Sequence, residues 1–441
     1  MDTPIVDFVA KYADSGVLRL HMPGHKGQAI VGPEALDITE VTGADSLYEA
    51  SGVIAKSEEN ASRLFGCPTY YSTEGSSHCI RAMLTLAVQY AALQGREAVV
   101  AAARNVHKTF LSAAALLDVP VVWLYPEKGE SYLSCTLLPE RVEAFLQQHR
   151  PTALYLTSPD YLGNVADVAA IARVCHRYDC LRLVDNAHGA YLRFLRPSRH
   201  PMDLGADICC DSAHKTLPVL TGGAYLHISS KAPSFFSDQA KNALALHGST
   251  SPSYLILQSL DMANRLLEKT DIAAFGEKIM AIRRRLEEKG LIFYGNEPMK
   301  LTLDAAAMGC GTGVLCWQLE EEGIEWEFAD PDYLVLMPSP AMSDEDLVRL
   351  EKVLENLQTG NEEPNSLPEF VPCEQAMPLR QAMLSPAQTL PVEQCVGRIL
   401  ASPSVGCPPA VPIVICGEVI DAHAVKLLRY YGVEECSVVI Q

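Results

Sequence analysis

The chain has 441 residues, 48% of them hydrophobic and 20% charged, a balance that supports a large core and more than one domain. Its 54 acidic residues against 35 basic ones give a formal net charge of -19, which argues against a nucleic-acid or anionic-membrane partner and favours small-molecule chemistry. The opening MDTPIVDFVAKYADSG has no basic region ahead of a long apolar segment, and no apolar run reaches membrane-spanning length, so a soluble, cytoplasmic protein is expected.

Fourteen cysteines are spread along the chain without a C-x-x-C pair, and Cys209 and Cys210 are adjacent inside an apolar run, which reads as buried reduced thiols; no metal site is assigned. From about residue 77 to 229, helical and strand patterns alternate as parallel α/β units do. The helical segments are SHCIRAMLTLAVQYAAL, KTFLSAAALLD, PERVEAFLQQH and DVAAIARVCHRY, and the strands EAVVAAAR, VPVVWLYP, TALYLTSP, LRLVDNA, ADICCDSA and GAYLHIS. The near-continuous apolar character of these strands indicates a sheet covered on both faces. After LILQSLDMANRLLEKT and the long amphipathic IAAFGEKIMAIRRRLEEKG, shorter strand patterns return at LIFYG, MKLTLDA and YLVLMPSP, which suits a second, smaller α/β domain. TGNEEPNSLPE then reads as a linker to a Pro-rich tail. The expected division is 1–265, 266–360 and 361–441.

In an open parallel sheet, ligands bind beyond the carboxyl ends of the strands, so the residues just after each strand are the informative ones. His107 follows the first of these strands; Thr157 and Ser158 follow ALYL, Asp185 and His188 follow LRLV, and Ser212, His214 and Lys215 follow DICC. Gly75, Ser76 and Ser77 open a helix, where free N–H groups and the helix dipole favour a phosphate, although an ordinary Ser cap is the commoner reading of such a stretch. Lys215 lies between an apolar strand and a Gly-Gly turn, a setting in which desolvation favours the neutral, nucleophilic amine. Singly, a capping Asp, a structural His and a loop Lys explain these residues. Together, an amine, a phosphate seat, a carboxylate and an imidazole are the parts needed to hold pyridoxal phosphate.

LRLHMPGHKG, DITEVTGADSLYEASGVI, VDNAHGAYLRF, DSAHKTLPVLTGGAYL and GSTSPSYLILQSLD, with LPVEQCVGRILASPSVGCPPAVPIVICGEVID in the tail, resemble successive blocks of the Orn/Lys/Arg decarboxylases. The resemblance implies an α/β, type I pyridoxal phosphate-dependent fold, like that of aspartate aminotransferase. Its large domain has a mainly parallel sheet, followed by a small domain and a C-terminal domain. It further implies that Lys215 binds the cofactor's aldehyde, that Ser76, Ser77, Ser212 and His214 hold its phosphate, that His107 stacks on the ring, and that Asp185 pairs with the pyridine nitrogen. His188 would lie beside the substrate carboxylate and Glu418 near a distal substrate cation, with an exposed strand-end Glu as the plainer reading of the latter.

The likeness is to the short form of the family, which implies decarboxylation of arginine, lysine or ornithine, with arginine preferred. It also implies a homodimer in which Ser249, Thr250 and Ser251 reach the neighbour's phosphate; those hydroxyls could instead cap the following helix. The chain departs from the family at Asn186, where Glu is usual, at Glu74, where Asn is usual, and at CPPAVP, which replaces a longer motif. Glu74 should weaken phosphate binding unless its side chain turns away. A different pyridoxal phosphate reaction, such as transamination or lysis, and an impaired homologue with a binding role are the alternatives.

Overall fold

The computed structural model describes residues 1–358, 360, 368–403 and 409–440. Most of the expected linker and the first two residues of CPPAVP lie outside the described residues. Helices α1 (Pro4–Asp14) and α2 (Val53–Phe65) precede strand β1 (Thr69–Ser72) and helix α3 (Gly75–Leu93). Then come β2 (Val100–Ala103), α4 (Lys108–Leu117), β3 (Val121–Leu124), α5 (Pro139–His149), β4 (Ala153–Thr157), α6 (Val168–Arg177), β5 (Leu181–Asp185), β6 (Ile208–Asp211), the short α7 (Ala213–Thr216) and β7 (Ala224–Ile228). The expected strands and helices between 77 and 229 all form, because runs such as ICCD and AYLHI can bury both faces completely.

The chain groups into two compact units, Met1–Glu97 with Cys175–Ala273, and Ala98–Val174 with Ala274–Gln441. In the first unit the strands are ordered β1-β7-β6-β5. Strands β5 and β6 are parallel, whereas β7 runs antiparallel to both β6 and β1. The parallel alternation therefore ends at β6. The segment after it carries only a four-residue helix, and it turns back instead of crossing over, with His214 N–H donating to the Gly223 carbonyl at 3.2 Å. That reversal places Lys215 on a tight turn beside the end of β6. Helix α3 packs on this part of the sheet and on α8 (Ser234–His247), through residues such as Ile80, Met83 and Leu84 that are almost fully buried.

Further along the chain, α9 (Tyr254–Leu267) belongs to the first unit, and Asp261 on it accepts the N–H groups of Ile5 and Val6 at 2.9 and 3.1 Å, capping α1. In the second unit, β4-β2-β3 run parallel. This unit also holds an antiparallel four-stranded sheet, built from 293–294, 301–304, 328–329 and 333–336, and a three-stranded sheet from 387–391, 400–402 and 435–439. No helix among the described residues is long and apolar enough to cross a membrane.

Candidate active site

Within the first unit, the ends of β5 and β6 and the start of α3 bring several of the expected residues together. Lys215, half-buried on its turn, shares a hydrogen bond of 3.0 Å between its Nζ and His188 Nε2. Asp185 is 2% exposed at the end of β5, where its Oδ1 accepts the Ala187 N–H at 3.2 Å and the Cys210 thiol at 3.7 Å. The strand period explains the last contact: on β6, Cys210 faces Asp185, whereas Cys209 and Asp211 face the other way.

The phosphate seat is also assembled. Ser212 Oγ donates to Ser76 Oγ at 2.7 Å, tying the β6 end to the first turn of α3. Gly75 adopts φ +70, a left-handed conformation open to glycine, and its N–H donates to the Gly222 carbonyl at 2.7 Å. Glu74 stands at the N-cap without a side-chain hydrogen bond to α3, and Ser77 lies half-buried in that first turn. His214 Nδ1 donates to the Gly223 carbonyl at 3.0 Å, and burial, with the Lys215 charge adding, holds its imidazole below the ordinary range. A helix start without a side-chain cap, two paired hydroxyls and a glycine turn suit a phosphate dianion, and the amine of Lys215 suits an aldehyde. The residues present thus fit pyridoxal phosphate.

Glu74 is exposed, and its Oε1 accepts the Ser249 N–H at 2.7 Å, so its side chain reaches the 248–251 segment. Gly248 is required there, because a Cβ would sit 1.8 Å from the Tyr48 hydroxyl oxygen. Ser249, Thr250 and Ser251 are exposed, and the cap of α9 is Ser253, whose hydroxyl accepts the Ile256 N–H at 3.4 Å. The capping alternative for Ser249 and Ser251 is thereby corrected.

The remaining expected residues belong to the second unit. His107 caps α4, and its Nδ1 accepts the Thr109 N–H at 3.1 Å, which fixes the ring's orientation and tautomer. Thr157 closes β4 with a buried Oγ1 that has no hydrogen-bond partner among the described residues. Ser158 is buried, and its Oγ accepts the Ala166 N–H at 3.0 Å. Glu418 is not an exposed strand-end residue. It is 2% exposed, 3.5 Å from Arg104 Nη2, and accepts the Ile415 N–H at 2.8 Å. Burial pushes its carboxyl above the ordinary range, and Arg104 opposes that shift. Arg104 in turn donates to the carbonyls of Pro412 and Ile413 at 2.8 and 3.0 Å, pinning the tail segment to β2.

A group that sequence reasoning missed lies behind the β5 and β6 ends. Asp211, Asn186, His200 and His227 are 0% exposed, and the Asp211 carboxylate accepts from all three partners. His200, Cys209 and Asp211 stand close enough to suggest a metal centre. Hydrogen bonding accounts for that approach, because His200 Nδ1 accepts the Met202 N–H at 3.4 Å, which leaves the proton on Nε2 facing Asp211. The signal in the sequence was Asp211 itself, a carboxylate ending a fully apolar strand.

The family model described as "Orn/Lys/Arg decarboxylase, major domain" matches residues 3–345. The chain is 29% identical over 467 aligned residues to an arginine decarboxylase of Bacillus subtilis (strain 168), across 97% of this chain and 93% of that one. It is 28% identical over 464 residues to an arginine decarboxylase of Halalkalibacterium halodurans, with the same shares of the two chains. The crystal structure of the Francisella novicida lysine decarboxylase shares the fold with a TM-score of 0.79 at 17% identity, covering 99% of this chain and 81% of that one. With its family model matched over most of its length, and with an amine, a buried carboxylate and a hydroxyl-lined helix start at neighbouring strand ends, this chain belongs to the Orn/Lys/Arg decarboxylases and is a decarboxylase enzyme.

Proposed function

We propose that this protein decarboxylates a basic amino acid, arginine first, using pyridoxal phosphate held by Lys215. The observation that carries this reading is the 3.0 Å hydrogen bond between Lys215 and His188, beside buried Asp185 at the next strand end. Arginine is favoured because the named arginine decarboxylases align along nearly the whole chain. When bound, the cofactor supplies an electron sink for the pair left on Cα as carbon dioxide departs.

The chain's own residues supply the rest. Lys215 Nζ would hold the aldehyde carbon and, once the substrate's amine has displaced it, would give a proton from its freed amine to the substrate's Cα; His188 Nε2 keeps that amine oriented. Asp185 would keep a proton on the pyridine nitrogen, and being buried it acts in a medium where its charge is poorly screened. Ser76, Ser77, Ser212 and His214 hold the phosphate, with Gly75 shaping the turn. His107 is proposed as the residue that would stack on the ring. The exposed hydroxyls of Ser249, Thr250 and Ser251 serve the phosphate of a second copy in a homodimer, whose two-fold symmetry gives each subunit the same donor and acceptor surfaces.

Incubating the purified protein with arginine, lysine and ornithine and measuring carbon dioxide and amine tests the reading. Agmatine from arginine, from a species with the solution mass of a dimer, is the expected result. A keto acid without carbon dioxide would replace it with amino transfer, and no product from any of the three would overturn it.

Glu74 offers a second measurement. Glu74→Gln keeps an acceptor for the Ser249 N–H and should leave cofactor affinity equal or higher, whereas Glu74→Ala frees the 249–251 segment and should weaken it roughly 3- to 10-fold, the value of about one hydrogen bond. Titration of the apoprotein with pyridoxal phosphate reads both, and equal affinities in the two variants would show that the Glu74 contact does not serve the cofactor.

A further inference from the structure

Asn186 departs from the family pattern at the residue between Asp185 and the turn that carries His188. The structure shows what it faces. Asn186 Nδ2 donates to Asp211 Oδ1 at 2.7 Å, and Asn186 N–H donates to the Cys210 carbonyl at 2.9 Å, so side chain and backbone both tie the end of β5 to the end of β6. On the other oxygen, Asp211 Oδ2 accepts from His200 Nε2 and His227 Nε2, each at 3.0 Å. The Cys209 thiol approaches Oδ1 at 3.7 Å.

His200 Nδ1 accepts the Met202 N–H at 3.4 Å, which turns its Nε2 toward Asp211 as a donor. Burial lowers the affinity of His227 for a second proton. Complete burial by itself would raise the Asp211 carboxyl, but the facing His200 and His227, through charge and hydrogen bonds, hold it well below the usual carboxylate range. A carboxylate at 186 would confront that anion at hydrogen-bond distance with no water to screen it.

We propose that Asn186 and Asp211 form a clamp that pairs one amide with one carboxylate, the carboxylate standing on the β6 side of the pair, and that Asn186 is the residue this arrangement demands rather than a lesion in the site. Both are positioning residues. Asn186 directly follows Asp185 and precedes His188 by two residues, and Asp211 directly precedes Ser212 on the turn to Lys215. The clamp sets the carboxylate, the imidazole, the hydroxyl and the amine relative to one another without touching substrate. The proposal rests on the decarboxylase reading only for its turnover readout.

The test is a swap of the pair. Asn186→Asp places two carboxylates together, and Asp211→Asn places two amides together. Each should raise the unfolding equilibrium constant by on the order of 100-fold and lower kcat more than it raises KM, since the damage lies in the placement of the reacting groups. The double variant, Asn186→Asp with Asp211→Asn, restores one anion and one amide, and should recover both quantities to within about 10-fold of the parent. Asn186→Ser removes the donor without adding charge; it should be milder than Asn186→Asp, and it serves if the latter does not fold. A double variant no better than the product of the singles overturns the clamp. Recovery of stability without recovery of kcat overturns the positioning role. A parent without activity, whose swap still restores stability, would sink the decarboxylase reading and leave the clamp standing.

Discussion

Lys215→Ala is expected to abolish turnover, by at least ~10⁴-fold or about 5 kcal/mol of transition-state stabilisation, while leaving the fold intact. The side chain is half-buried on a turn held by its backbone: the Lys215 N–H donates to the Ser212 carbonyl at 3.0 Å, and the Leu217 N–H to the Ala213 carbonyl at 2.8 Å, whatever side chain stands at 215. What is lost is the amine beside His188, and, in the proposed reaction, with it the covalent seat for the aldehyde and the proton returned to Cα. Borohydride reduction of the parent followed by peptide mapping should place the pyridoxyl group on Lys215, and the alanine variant should carry none. Label on Lys108 or Lys231 instead, or substantial activity in the variant, would remove Lys215 from the reaction.

Asp185→Asn should cost about 10²- to 10³-fold in kcat, or about 3 to 4 kcal/mol. The substitution keeps the shape, and an amide oxygen can still accept the Ala187 N–H, so thermal unfolding should be little changed. It removes the buried carboxylate that, in the proposed reaction, would hold a proton on the pyridine nitrogen, and an unprotonated ring draws electrons from Cα poorly. A variant with normal kcat would make Asp185 a structural strand-end residue. Cofactor affinity measured alongside separates the two effects, because weaker binding with unchanged kcat would mean that Asp185 only anchors the ring.

The two results probe residues whose prominence in the sequence has a simple origin. A strand buried on both faces is a continuous apolar run, so a charged or hydroxyl side chain at its end stands out, and Asp185, Ser212 and Lys215 all announced themselves this way. His107 and Thr157 were visible for the same reason, at the ends of β2 and β4. Glu418 was visible too, but its setting was not: it read either as a partner for a distal substrate cation or as an exposed strand-end Glu, and the fold buries it against Arg104, a partner from a distant part of the chain.

What the amino-acid sequence determined, then, was local: the elements from α3 to β7 apart from the short α7, the strand-end chemistry, and the family to which its blocks belong. These follow from periodicity and from residue types at fixed short spacings, which need no knowledge of long-range contacts. Only the tertiary structure decided how charges are balanced. Asp211 meets His200, His227 and Asn186 from three separate segments, and Glu74 meets Ser249 across 175 residues of chain. A lone carboxylate in a sequence carries no record of its donors, and whether it is a liability or an anchor depends on which N–H groups folding brings around it.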